Sequence, residues 1–95
     1  MFLAAYHFDG DPAELLPGYH RLLGGFPPGA VVLQLCTVTE RRLTVFDTCP
    51  SRETFEEFIA GAMFGESVAA AGLPGPRIEP VGELRHTVVG EAVSR

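Results

Sequence analysis

Apolar residues in this chain follow two rhythms, an alternating or continuous one that predicts strands and a three-to-four-residue one that predicts helices. The clearest junction between them is Leu43 to Phe58, LTVFDTCPSRETFEEF. Leu43 to Thr48 is rich in β-branched and aromatic residues, and Pro50, with no N–H to donate, stops the ladder. Ser51 then reads as a helix N-cap, with Glu53 placed in the first turn against the positive end of the dipole. Phe55, Phe58, Ile59 and Ala62 recur at i, i+3, i+4 and i+7, one apolar stripe that must lie on a sheet. This helix is expected to pause at Gly61 and Gly65 and to resume through Ser67 to Ala71. Gly72 reads as its C′ residue and Leu73-Pro74-Gly75-Pro76 as its stop.

The other segments fall around that junction. Phe2 to Phe8 predicts a strand apolar on both faces, with Phe2, Ala4, Tyr6 and Phe8 on one and Leu3, Ala5 and His7 on the other. Asp11-Pro12-Ala13-Glu14 opens a helix whose inward stripe is Leu15, Tyr19, Leu22 and Phe26, with a bend expected at Pro17-Gly18. Gly24-Gly25 ends it and Pro27-Pro28-Gly29 turns the chain. Ala30 to Val38 predicts a second strand, again apolar on both faces, joined by a hairpin over Thr39 to Arg42 to the Leu43 strand. Ile78 to Val89 predicts a last strand, with Pro80 and Gly82 marking an edge or a bulge. The order β-α-β-β-α-β predicts an α+β, ferredoxin-like domain spanning residues 1–95. Its four-stranded antiparallel sheet has order 4-1-3-2, with two helices on one face. The uncovered apolar face, with Leu3, Ala5, Leu33 and Leu35, calls for a second copy, so a sheet-to-sheet homodimer is expected.

Composition narrows the function classes. With 46% hydrophobic and 20% charged residues the chain is globular,. The net charge is −5 and the seven cations, all Arg, are scattered, so a phosphate backbone finds no basic stripe and no nucleic-acid partner is expected. No apolar run reaches membrane length, and the N-terminus lacks a basic n-region, so the reading is a cytoplasmic protein without a membrane partner. Cys36 and Cys49 stand in neither a C-x-x-C nor a zinc spacing and read as reduced, buried thiols.

The segment LTVFDTCPSRETFEEFIAGAMF resembles the dimeric α+β barrel superfamily, in particular its antibiotic biosynthesis monooxygenase type of domain. The likeness extends over nearly the whole chain. It implies a homodimer, a ligand pocket between helices and sheet, and cofactor-independent chemistry on an aromatic or polyketide-like molecule. Relatives include monooxygenases, haem-degrading enzymes, polyketide cyclases and muconolactone-type isomerases. The chain departs from several of them. It has no Trp and no Asn, Cys49 stands where many relatives have Trp, Val68 stands at the haem-type proximal histidine, and Phe58 and Phe64 replace a cyclase Tyr and His. No haem, flavin or metal is expected.

Among the residues that can carry chemistry, His86 alternates with Leu84 and Val88 and is the choice for proton transfer, since imidazole titrates near neutrality. His7 and His20 read as structural and surface residues. Tyr6 and Tyr19 pair across the sheet-helix interface and can hold a carbonyl or hydroxyl. Asp47 interrupts a strand of β-formers; it either caps the loop or pairs with an Arg, or serves as a base. The expected catalytic set is His86, Tyr19 and Asp47, with Tyr6, Phe8, Phe46, Phe55, Phe58 and Met63 lining the substrate site. An oxygenase, a non-oxidative cyclase or isomerase, and a non-catalytic small-ligand or assembly module remain open.

Overall fold

The computed structural model describes residues 1–25 and 32–88. The expected stripe residue Phe26, the expected Pro27-Pro28-Gly29 turn, and the expected strand residues Ala30, Val31 and Val89 lie outside the described residues. Seven elements follow in order: β1 (Phe2–Asp9), α1 (Pro12–Gly24), β2 (Gln34–Val38), β3 (Arg42–Cys49), α2 (Arg52–Ala60), α3 (Ala62–Ala70) and β4 (Arg77–Glu83). The four strands form one antiparallel sheet in the order β2-β3-β1-β4. This is the order expected from the short connections, and it is compatible with the ferredoxin-like arrangement.

Local chemistry explains the boundaries. Asp11 caps α1, its carboxylate accepting from the Ala13 N–H at 3.0 Å, and Pro12 occupies the first turn, where its missing donor costs nothing,. The helix continues through Pro17 to Gly24. A Cβ on Gly18 would come within 2.8 Å of Leu73 Cδ2 and 3.0 Å of the Ala71 carbonyl oxygen, so glycine is what lets α1 close on the α3–β4 connection. Arg21 ties the same contact, its guanidinium donating to the Ala71 carbonyl at 3.1 and 2.8 Å and satisfying an orphan acceptor at the end of α3,. Ser51 caps α2, its hydroxyl accepting from the Thr54 N–H at 3.1 Å.

The expected pause at Gly61 is a full break: Gly61 adopts an extended conformation, φ −79 and ψ 153, and its N–H turns back to the Glu57 and Phe58 carbonyls, closing α2 before α3 begins. Two other expectations are corrected. Gly65 lies inside α3 and interrupts nothing. The last strand ends at Glu83, well before the expected Val89. The β1–β4 register shifts between Leu3 and Ala4, where Pro80 and Gly82 sit, so β4 is a bulged edge strand,.

All three helices lie against one face of the sheet. Its residues Phe2, Ala4, Tyr6, Phe8, Leu43 and Val45 join Leu15, Tyr19, Phe55, Val68, Ala71 and Leu73 in a single core. The opposite face carries Leu3, Ala5, His7, Thr44, Phe46 and Glu79, which the register sets beside one another. No helix among the described residues covers it. Leu35, in line with Phe46 and Ala5, is 55% exposed.

Candidate functional site

The site grows out of the covered face of β3. Val45, Asp47 and Cys49 project from alternate positions toward the helices, because Val45 pairs with Tyr6 and Asp47 with Ala4 in the core row of β1,. Asp47 is thus a carboxylate placed under α2 and α3. Its Oδ1 accepts from the Thr48 N–H at 2.8 Å. Among the described residues no Arg pairs with it: Arg42 is held by Asp9, Arg52 lies against Glu56, and Arg21 is bound to the Ala71 carbonyl. Burial pushes the Asp47 carboxyl above its ordinary value, with the Thr48 hydrogen bond opposing the shift,.

Tyr6 stands diagonally across from Asp47 on the neighbouring strand. It is only 4% exposed, and its hydroxyl is buried without a hydrogen-bond partner among the described residues. Burial pushes this phenol well above its usual range, helped by the nearby Cys49 and Asp47. The Tyr6 ring packs on Phe64 of α3 with centroids 5.4 Å apart, and Phe64 meets Phe58 of α2 edge-on at 5.1 Å,. Together Tyr6, Phe8, Leu22, Val45, Asp47, Phe58 and Phe64 line a half-open crevice of about 30 Å³, enough to admit a water molecule,. Tyr19 lies to one side, its hydroxyl donating to Gln34 Oε1 at 2.8 Å. Gln34 is the register partner of Asp47, so the two tyrosines flank the carboxylate. The Tyr19 phenol too is raised, first by burial and then by Cys36 and Asp47.

The structure therefore brings Tyr6, Phe8, Asp47 and Phe58 into one site and sets Tyr19 beside it. Four expected members lie elsewhere. His86 follows the end of β4 in a segment without regular structure and is exposed, and Val88, the neighbour that was to define its apolar face, is 80% exposed. Phe46 alternates with Val45 and Asp47 and so belongs to the open face. Phe55 is buried against Phe2, ring centroids 5.2 Å apart, in the core beyond the cavity. Met63 is 76% exposed.

Phe64, Leu22 and Gln34 are site residues that the sequence reading left out. The break at Gly61 re-phases the helix, so counting onward from Phe58 points to Ala62, which is exposed, instead of Phe64. Gln34 had a signal, being the lone polar residue in the run Val31 to Cys36.

The remaining polar groups have different surroundings. His7 is satisfied on both nitrogens: Nε2 lies 2.8 Å from Glu79 Oε1 and Nδ1 2.9 Å from Thr44 Oγ1. A carboxylate only accepts, so Nε2 carries a proton, and Nδ1 shares a hydrogen bond with the threonine hydroxyl. Cys36 and Cys49 are free thiols. Cys36, expected to be buried, is exposed on the edge strand opposite Val45, and Cys49 is half-buried. Among the described residues no three His, Cys, Asp or Glu side chains are grouped to hold a metal ion, and no helix is long and apolar enough to cross a membrane.

An apolar crevice edged by a carboxylate with no cation beside it among the described residues can take an apolar group and move one proton at its edge. Compared with known proteins, the chain matches no family model, no curated protein and no solved structure.

Proposed function

We propose that the chain is a cofactor-independent enzyme of the antibiotic biosynthesis monooxygenase type, acting as a homodimer on an aromatic or polyketide-like substrate. Asp47 takes the proton-transfer role first given to His86. One observation carries this reading: a half-buried carboxylate with no cation beside it among the described residues and the ring of a buried tyrosine line the same aromatic-walled crevice. Such a carboxylate is costly to a small fold and suits proton abstraction. Burial that raises the Asp47 carboxyl makes it a stronger base toward a phenol or an activated methylene,. In the oxygenase reaction a methylene between conjugated groups loses a proton to Asp47, and the resulting carbanion reduces dioxygen. The carbon becomes a carbonyl, the second oxygen atom leaves as water, and all electrons come from substrate. In a cyclase the same carbanion attacks an internal carbonyl and the proton returns to the new alkoxide. The open face of the sheet, with Leu35 and Phe46, is where the second subunit would dock.

The size of the cavity favours a second reading, a small-ligand-binding module without turnover. Oxygen uptake and product analysis with a methylene-bridged aromatic ketone separate the three. Uptake stoichiometric with substrate marks the oxygenase, turnover without uptake the cyclase, and saturable binding without turnover the module. Asp47→Asn is expected to lower turnover by about 10²–10⁴-fold, the usual worth of a general base, with the fold retained. His86→Ala is expected to leave it unchanged.

A further inference from the structure

A crevice of about 30 Å³ takes a water molecule and no ring, because the Phe64 ring already packs on Tyr6 there,. The way α3 is fixed decides whether Phe64 can leave. Its C-terminal end is fastened several times: Val68 is buried, Arg21 holds the Ala71 carbonyl, the Leu73 N–H donates to the Val68 carbonyl at 3.1 Å, and Leu73 closes on Gly18. Its first turn is fastened once. Ala62, Met63 and Gly65 are exposed, Gly61 offers no side chain to cap the orphan amides, and Phe64 alone reaches the sheet, through the ring of Tyr6,. Glycines stand at both ends of that turn. Gly61 is already out of the helix, and a Cβ at Gly65 would meet nothing within 4 Å, so no packing calls for glycine inside α3. There it disfavours the helix about fivefold relative to alanine.

We infer that the turn Ala62–Gly65 is a lid on the crevice: it opens about Gly61 and Gly65, carries Phe64 off Tyr6 and Phe58, and frees room for an apolar group of ring size. The inference rests on the function just proposed, in which this crevice is the site. Phe64 is a built-in occupant, so an entering ring exchanges one aromatic contact with Tyr6 for another,. Only one half-buried side chain has to leave, and the end of α3 beyond Ser67 keeps its fastenings. Opening is therefore a local event, distinct from unfolding of the whole sheet.

Thiol labelling with iodoacetamide tests this without any ligand. Val45, 5% exposed on the crevice wall, is changed by Val45→Cys in a Cys36→Ser, Cys49→Ser background, and labelling of the new thiol follows the open population when closing is fast,. Gly65→Ala, which adds helix propensity and no contact, should slow labelling about fivefold,. Ala69→Gly, in the C-terminal half of α3, should leave the rate unchanged, and so should urea well below the unfolding transition, since a local opening exposes little surface. A rate that climbs with urea in step with global unfolding, or that responds to Ala69→Gly as strongly as to Gly65→Ala, would overturn the lid. So would unchanged labelling in Gly65→Ala. Amide hydrogen exchange on the natural sequence makes the same comparison without the Val45→Cys change. The Glu66 and Ser67 amides, which bond back into the first turn, should be less protected than those of Ala70 and Ala71, and about fivefold better protected in Gly65→Ala. Equal protection along α3 would contradict the inference. Turnover by wild type and Asp47→Asn tests the proposed function separately, so a missing lid and a missing activity are told apart.

Discussion

Strand β1 presents two polar side chains one residue apart, and the sheet treats them in opposite ways. On the open face His7 is engaged at both ring nitrogens by Thr44 and Glu79. On the covered face Tyr6 is buried deeper and its hydroxyl has no hydrogen-bond partner among the described residues. Asp47, also on the covered face, accepts one backbone hydrogen bond and lacks a counter-charge among the described residues. Water can repair an imperfect hydrogen bond on an open face but not under two helices, so unmet polar groups would be expected in the reverse place. Under the proposed function the covered side, with its unsatisfied polar groups, is the one that meets a ligand, while the satisfied histidine on the other side serves the fold.

The contrast can be attacked first through packing. Phe55→Ala removes a ring that is 1% exposed and packed on Phe2, and should cost about 3–5 kcal/mol,. Phe46→Ala, on the half-buried opposite face, should cost less than half of that in the monomer. Equal losses in denaturant unfolding would mean that the open face is packed as fully as the covered one. The open face is tested further by Thr44→Val, which keeps the shape and leaves His7 Nδ1 without its hydrogen-bond partner. A loss of about 1 kcal/mol is expected, and no loss would mean that the His7 network contributes nothing,.

Asp47→Asn sharpens the comparison through pH. The carboxyl is raised in the folded state above its ordinary 3.8, so folding disfavours the charged form. The stability linked to the protonated carboxyl is present below the ordinary value and is lost as pH rises through the folded one. Asparagine stays neutral and can still accept from the Thr48 N–H. The variant should therefore be more stable than the wild type near neutrality, and the gain should vanish below about pH 4,. A variant less stable at neutral pH would mean that the carboxylate has a counter-charge in solution.

Much of the frame could be read from the residues because it depends on local chemistry. The Asp11 and Ser51 caps, the hairpin pairing that sets Cys36 opposite Val45, and the strand order all follow from short-range rules. The site was legible only in part. Tyr6, Phe8 and Asp47 share the covered face through strand alternation, which a sequence displays. Phe64 enters because Gly61 leaves the helix and resets its phase, and His86 drops out because β4 stops at Glu83 after its bulge. Both depend on where an element ends, and single glycines decide that together with their packing. Phe46 was misplaced for a simpler reason: its aromatic character suggested a pocket, while its parity in β3 assigned it to the other face.

Thermal unfolding of wild type and Tyr6→Phe tests the central claim most directly. If the covered face keeps the Tyr6 hydroxyl buried without a partner, removing it relieves a burial cost of about 1 kcal/mol, and the variant should melt about 4–8 °C above the wild type. A variant that melts below the wild type would contradict the account.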